Sequence, residues 1–355
     1  MKQSLLNLLR LNFSAFEQSW FLQYSYQLLN EARLWQWKKD VLHFVINWMS
    51  AAENMPANTS GSTGKPKKIS LNKKHMEASA KVTLDFFGLK PGDKALLCLP
   101  EKYIAGKMMI VRALIGKLDL YCIEPSSTPM AKLPEIDFAA MTPAQVSVLM
   151  ESEEGIRFLN NIRQLILGGS FIPEKLDQQI QHLKTKVWHT YGMTETITHI
   201  ALRKVNGKDA SQWFAPLPGV NIQLADDGCL QIDALQIGVF SLKTNDLIEI
   251  SGKGFRILGR KDNVVISGGV KLFPEQIEKK LEGLFENLFF LIGVPDDKYG
   301  EKLVLVIERK NKAEPNENQL WKLIKNKLTR FEIPKEIIIV AEIETTSNGK
   351  IIRIL

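Results

Sequence analysis

Between residues 101 and 190 short β-prone runs alternate with helical stretches, and this alternation constrains the fold more than any other property of the chain. The runs Asp119–Ile123, Phe138–Met141, Gln164–Leu167 and Lys186–His189 have strand length, and helical patterns separate them. Repeated strand–helix units favour a largely parallel sheet, because a parallel crossover needs a dozen or more residues and a helix supplies them. Ala95–Leu99, entered from the Pro91-Gly92-Asp93 turn, reads as another buried strand. Upstream, Phe16, Trp20, Leu28, Leu29, Trp35, Leu42, Val45 and Trp48 recur at mostly helical spacing, which predicts two helices joined by an aromatic and aliphatic core stripe. A further helix is expected from Asn72, an N-cap residue type, through Phe87.

From about 217 to 258 the pattern changes to short strands and turns, with Asp226-Asp227-Gly228 as a hairpin signal. After Gly259-Arg260-Lys261-Asp262 it changes again. The expected order there is a strand at Asn263–Ile266, a Gly268-Gly269 turn, a helix over Pro274–Leu284 and strands at Leu288–Val294 and Leu303–Glu308. A helix over Asn318–Leu328 and a last strand at Glu336–Val340 complete it. The chain is therefore read as α/β in class: a large layered α/β domain with a small antiparallel subdomain over 1–259, and a small α+β domain over 260–355. The boundary lies near Asp262.

A chain of 355 residues with 45% hydrophobic content can bury more than one core. Cys98, Cys122 and Cys229 are widely spaced and form no CxxC pair, so a reducing, cytoplasmic setting is expected. Asn7 and Arg10 interrupt the N-terminal apolar run before it reaches signal-peptide length, and Leu288–Val294 is too short to span a bilayer. No membrane insertion is expected. The formal net charge of +7 suits either nucleic acid or small anionic ligands. Lysines cluster at Lys65, Lys67, Lys68, Lys73 and Lys74 without a long basic tract, which favours nucleotides and coenzyme A over nucleic acid.

That lysine cluster belongs to Thr59-Ser60-Gly61-Ser62-Thr63-Gly64-Lys65-Pro66-Lys67-Lys68, a segment with the composition of a polyphosphate cradle. Small residues let backbone N–H groups approach an anion, hydroxyls add donors and lysines neutralise charge. A flexible Ser/Gly/Lys linker has the same composition. A Walker A loop is excluded by spacing, since Gly61 and Gly64 are too close and Pro66 follows Lys65.

The order of motifs decides between cradle and linker. The Thr59 segment is followed by Gly168-Gly169-Ser170, Tyr191-Gly192-Met193-Thr194-Glu195, Thr244-Asn245-Asp246-Leu247, Gly259-Arg260-Lys261-Asp262 and Ser267-Gly268-Gly269. Pro274-Glu275-Gln276-Ile277-Glu278 and Asn348-Gly349-Lys350-Ile351 close the series. From about residue 55 to 355 this succession resembles the adenylate-forming superfamily of acyl-CoA synthetases, luciferases and peptide-synthetase adenylation domains. The resemblance implies ATP, Mg²⁺ and coenzyme A as co-substrates and cofactors, a small carboxylic acid as substrate, and two steps. Acyl-adenylate and pyrophosphate form first, and a thiol then displaces AMP.

Residue by residue, the resemblance implies that Thr59, Ser60, Gly61, Ser62, Thr63, Gly64, Lys65 and Lys68 grip the β,γ-phosphates. Tyr191, with Gly168, Gly169, Ser170 and Gly192, would receive the adenine. Thr194 and Glu195 would hold the α-phosphate region, with Glu195 the metal ligand. Asp246 and Arg260 would meet the ribose, and Lys350 would be the catalytic lysine on a mobile small domain. Rotation at the hinge Asp262 would exchange Lys350 for Gly268 and Gly269, which would face the thiol channel. Asn245 stands where the family pattern has glycine. Only 58 residues precede Thr59, so a shortened N-terminal layer is expected, and long-chain or luciferin-like acids are disfavoured.

Within the superfamily, the length and the segment His189–His199 look most like the short 2-succinylbenzoate–CoA ligases of menaquinone biosynthesis. That likeness implies an aromatic dicarboxylate, with His199 and Arg203 the candidates for its far end. Other aryl or short-chain acyl-CoA ligases, a stand-alone adenylating enzyme and a non-catalytic nucleotide-binding module remain alternatives, and a homodimer is open to such a chain.

Overall fold

The computed structural model describes residues 8–58, 68–252, 254–285, 287–309, 317–345 and 351–355. Elements run in the order β1 (Leu8–Asn12), α1 (Gln18–Leu29), α2 (Gln36–Met49), β2 (Asn54–Asn58), β3 (Lys68–Asn72), α3 (Lys73–Phe87), β4 (Lys94–Leu97), α4 (Ile104–Ile115), β5 (Asp119–Ile123) and β6 (Ile136–Met141). There follow α5 (Pro143–Leu149), α6 (Glu153–Asn160), β7 (Ile162–Leu167), α7 (Glu174–Ile180), β8 (Lys186–Gly192), β9 (His199–Lys204) and β10 (Ala215–Pro216). An eight-stranded sheet takes the order β1-β5-β4-β6-β7-β8-β9-β10. Its five middle strands are parallel, and β1, β9 and β10 are antiparallel additions at the edges.

Strand alternation splits the interior into two cores. Ala95, Leu97, Leu120, Cys122, Phe138 and Ala140 face the cluster that holds α1 to α4, while Leu96, Tyr121, Ile123, Ala139 and Met141 face α5 to α7. A period of two on strands buried on both sides produces continuous apolar runs, which is why these strands could be read from sequence. The helix predicted from Asn72 is α3, and the Asn72 side chain accepts from the Lys74 backbone N–H at 2.9 Å. Such a cap contributes about 1 kcal/mol.

The aromatic stripe expected at the core of α1 and α2 is only partly interior. Phe21, Leu42, Val45 and Trp48 are buried, whereas Phe16, Trp20 and Trp35 are exposed at 45%, 37% and 44%. Phe16 stacks on Trp20 with ring centroids 3.9 Å apart, and Trp20 stacks on Tyr24 at 4.7 Å. Trp20 and Tyr24, four residues apart on α1, share a helix face whether or not that face is covered, and Phe16 joins them from the turn that precedes the helix.

The antiparallel unit consists of β11 (Asn221–Leu224), β12 (Cys229–Ala234), β13 (Val239–Ser251) and β14 (Gly254–Arg260), paired in that order. A short turn at Lys261–Asn263 leads into β15 (Val265–Ser267), β16 (Val270–Leu272), α8 (Pro274–Leu281), β17 (Phe289–Asp296), β18 (Gly300–Glu308), α9 (Glu317–Lys327) and β19 (Glu336–Val340). The helix predicted to reach Leu284 stops at Leu281, because Glu282 turns extended at ψ 138° and Gly283 takes φ +80°. Buried residues from Val265 onward form apolar clusters separate from those of the large sheet.

Candidate active site

Parallel strands of an α/β sheet present their carboxyl ends to ligands, and the predicted glycine and aromatic motifs lie there on two neighbouring strands. Gly168, Gly169 and Ser170 follow β7, while Tyr191 and Gly192 end β8, with Leu167 paired to His189. A Cβ on Gly192 would lie 2.3 Å from the Thr198 carbonyl oxygen, so only glycine lets the strand fold back against residues 198 and 199. Gly169 has φ +94°, a conformation that glycine adopts without a steric cost.

Three residues far apart in sequence meet at Tyr191. Its buried hydroxyl donates to Asp246 Oδ2 at 2.6 Å, and Arg260 Nη1 lies 3.4 Å from Asp246 Oδ1. The meeting is built by the β13–β14 register, which sets Asp246 opposite Arg260. Thr244 Oγ1 accepts from the Asp246 backbone N–H and steadies the turn. Burial, the Asp246 charge and the hydrogen bond to it raise the Tyr191 phenol far above its ordinary value, so it stays a donor. A carboxylate offers about four lone-pair sites. With one taken by Tyr191 and one facing Arg260, Asp246 keeps acceptor capacity for a diol.

Thr194, buried, and Glu195, exposed, lie on the 3₁₀ turn directly after this strand. Asn245 donates to Asp262 Oδ2 at 2.9 Å, and Arg260 approaches the same oxygen at 3.5 Å. Glu275 accepts from Asn263 Nδ2 at 2.5 Å, which ties the 261–263 turn to α8. Gly268 and Gly269 form the turn between β15 and β16, both at positive φ. Residues Thr59, Ser60, Gly61, Ser62, Thr63, Gly64 and Lys65 lie outside the described residues, as does Lys350. The neighbours of the first group, β2 and β3, pair antiparallel with Asn58 opposite exposed Lys68. Those of the second form a bridge between Thr345 and Ile351.

The two substrate candidates are not brought together. Arg203 donates to His189 Nδ1 at 3.2 Å, to the Ser211 carbonyl at 3.2 Å and to Asp177 at 3.4 Å. His189 donates from Nε2 to the Ser170 carbonyl at 3.1 Å, so Arg203 braces β8 through His189. Burial and the neighbouring guanidinium lower the His189 pKa to about 3. His199 instead faces Arg112, a residue that the sequence reading missed. Arg112 is 1% exposed and is held by Thr198 Oγ1 at 3.0 Å and His199 Nδ1 at 3.5 Å, with Met109 Sδ 3.7 Å away. Among the described residues no carboxylate pairs with it, and its Nε has no hydrogen-bond partner. Burial alone lowers its pKa to about 9. A buried cation without an anion is costly and calls for an explanation. In α4 the only other charge is Lys107, which pairs with Glu101 at 2.5 Å, so a lone arginine in an apolar helix was the available signal.

Among the described residues there is no group of three or more metal-ligating side chains. A single exposed carboxylate such as Glu195 suits Mg²⁺, which keeps several waters and binds mainly through substrate phosphates.

Comparison with known proteins identifies the family. The AMP-binding enzyme family matches residues 57–234, and the AMP-binding enzyme C-terminal domain matches residues 290–350. A 2-succinylbenzoate–CoA ligase of Lactococcus lactis is 27% identical over 323 residues, covering 83% of this chain and 69% of that protein. The solved structure of an acyl-CoA synthetase (AMP-forming)/AMP-acid ligase II-like protein from Dyadobacter fermentans superimposes with a TM-score of 0.65 at 33% identity, over 97% of each chain. The fold also matches O-succinylbenzoate coenzyme A synthetase from Bacillus subtilis, solved with ATP and magnesium, at a TM-score of 0.69 and 18% identity. That match covers 96% of this chain and 82% of the other.

Proposed function

The chain belongs to the AMP-binding enzyme family, and on that premise we propose that it is an ATP-dependent carboxylate–CoA ligase whose acid is 2-succinylbenzoate, serving menaquinone biosynthesis. Arg112 carries the choice of acid. A fully buried guanidinium that lacks a carboxylate among the described residues suits a substrate with a second carboxylate, and 2-succinylbenzoate has one to spare after the other is activated.

In the first step a carboxylate oxygen attacks the α-phosphorus of ATP, the bond to the bridging β-phosphate oxygen breaks, and pyrophosphate leaves. In the second, the CoA thiolate attacks the acyl carbonyl and AMP leaves. Tyr191 would stack on adenine while its hydroxyl keeps Asp246 aimed at the ribose diol, and Arg260 would offset the charge there. Thr194 and Glu195 follow within four residues of Tyr191, which suits contact with the phosphate end. Mg²⁺, when held by Glu195 and the phosphates, would supply electrostatic stabilisation of the phosphate charge. Lys350 would bring a positive charge to the attacking carboxylate and the α-phosphate. The segment Thr59–Lys68 would hold the phosphates that leave.

We take 1–259 and 260–355 as the two domains, with Asp262 as hinge and Gly268 and Gly269 toward the thiol in the second pose. The separate apolar clusters on either side of the 261–263 turn support that division. Among the described residues no helix is long and apolar enough to cross a membrane. A cytoplasmic enzyme accords with the three buried free thiols, and a homodimer is open to it. The test is pyrophosphate release with ATP, CoA and a panel of 2-succinylbenzoate, benzoate and acetate. Selective turnover of the first is expected; preference for either monocarboxylate would remove the substrate assignment.

A further inference from the structure

A single run of hydrogen bonds ends on Arg112, and its direction can be read from the chemistry of its members. A guanidinium has only N–H groups to offer, so where Arg112 Nη2 meets His199 Nδ1, at 3.5 Å, the ring nitrogen accepts; Thr198 Oγ1, which accepts from the same Nη2 at 3.0 Å and lies 3.4 Å from Nδ1, can give its own hydroxyl proton to that nitrogen as well. The proton of a neutral imidazole then sits on Nε2, which lies 3.2 Å from Thr83 Oγ1. Thr83 in turn gives its hydroxyl proton to the Ser79 carbonyl at 3.1 Å, one turn back on α3, so its oxygen is left to accept from the ring. Thr83, His199 and Arg112 are 0%, 6% and 1% exposed, and bulk water does not compete for these bonds. Burial and the Arg112 charge both lower the His199 pKa well below its ordinary value, which keeps the ring neutral.

We propose that Thr83 and His199 are positioning residues that fix the direction of the Arg112 guanidinium, and through it the preference for an acid with a second carboxylate. The substrate part rests on the reading of Arg112 given above. A neutral acceptor has a specific advantage at this place. An aspartate or glutamate at position 199 would orient the guanidinium equally well, but it would also neutralise it and compete with the incoming carboxylate. Imidazole orients the cation and leaves its charge available. Thr83 removes the remaining freedom, because without its oxygen the ring could move its proton to Nδ1 and turn an acceptor toward nothing.

Two measurements test this on the full chain. With ¹⁵N-labelled histidine, long-range ¹H–¹⁵N spectra report the tautomer of each of the five histidines, and His199 is assigned by its loss in His199→Asn. The expected state is neutral with the proton on Nε2; a proton on Nδ1 would overturn the inference whichever acid proves to be the substrate. The second measurement is kinetic. His199→Phe keeps a planar ring and removes the acceptor, and it should raise KM for 2-succinylbenzoate by about ten- to a hundredfold, with KM for ATP changed by less than about twofold. His199→Asn, whose Oδ1 can stand in for Nδ1, should recover most of that loss. Thr83→Val, of similar shape, should raise the same KM by a smaller factor and provides the kinetic readout if His199→Phe does not fold. Equal losses for acid and ATP, or an Asn variant no better than Phe, would contradict the positioning role. Failure of the wild-type chain to use 2-succinylbenzoate would instead remove the proposed substrate and leave the tautomer result standing.

Discussion

Replacing Arg112 by methionine should make the protein more stable and its acid selection worse, an opposition that follows from the burial of that one charge. The pKa of Arg112 falls from 12.5 to about 9 through burial alone. At roughly 1.4 kcal/mol per pKa unit, the charged form is penalised by at most about 5 kcal/mol. Methionine removes that penalty but also the hydrogen bonds to Thr198 and His199, each worth about 1 kcal/mol. A net gain of at most about 3 kcal/mol remains, within the range of about 1–4 kcal/mol for apolar replacement of buried ion pairs. The penalty is constant below the folded pKa, where both states are protonated, and is relieved only as pH rises from about 9 toward 12.5. The gain should therefore be the same at pH 6 and pH 8. Urea unfolding at these two pH values, with the m-value compared to exclude a change in the unfolded state, measures the first half. Rates with 2-succinylbenzoate and benzoate measure the second. A destabilised variant, or one that retains selection for the dicarboxylate, would refute the reasoning.

Asp246→Asn should lower kcat/KM for ATP by about ten- to a hundredfold, because a charge-assisted acceptor for Tyr191 and the diol is lost; pyrophosphate exchange at varied ATP measures it. Lys350→Ala should nearly abolish adenylate formation while sparing transfer from preformed acyl-AMP to CoA, and equal loss of both half-reactions would exclude two separate poses. Folding stability should decline as pH falls from about 6.5 toward 3, because His189 stays neutral in the fold while the unfolded chain binds a proton in that window. His189→Gln should remove part of that dependence in acid-range unfolding curves, the remainder belonging to His199, which also stays neutral in the fold.

The parallel sheet was legible because its strands are buried on both faces and read as unbroken apolar runs such as Ala95–Leu97 and Leu165–Leu167. Asn72 marked its helix by chemistry that acts within two residues. Exposure was not legible: the spacing that stacks Trp20 on Tyr24 is the same on a covered face as on an open one. Nor did periodicity mark the end of α8, since only the turn at Glu282 and Gly283 breaks it. Tyr191 and Asp246 are 55 residues apart, and nothing local to either announces their 2.6 Å contact; the ordered motifs alone linked them. The Asn245 contact with Asp262 depends on the β13–β14 pairing and could not be read along the chain. Arg112 was missed because arginine is ordinarily a surface residue, and its burial appears only once α4 is packed between the sheet and its neighbouring helices.

The most direct test of the chemistry is the fate of a carboxylate oxygen. With ¹⁸O in the carboxylates of 2-succinylbenzoate, and ATP and CoA present, attack on the α-phosphorus must leave one labelled oxygen in the phosphate of AMP, visible as an isotope shift in its ³¹P resonance. Label in AMP together with release of unlabelled pyrophosphate is the result predicted here. ADP as the nucleotide product, label in free phosphate, or AMP without label would contradict an acyl-adenylate route.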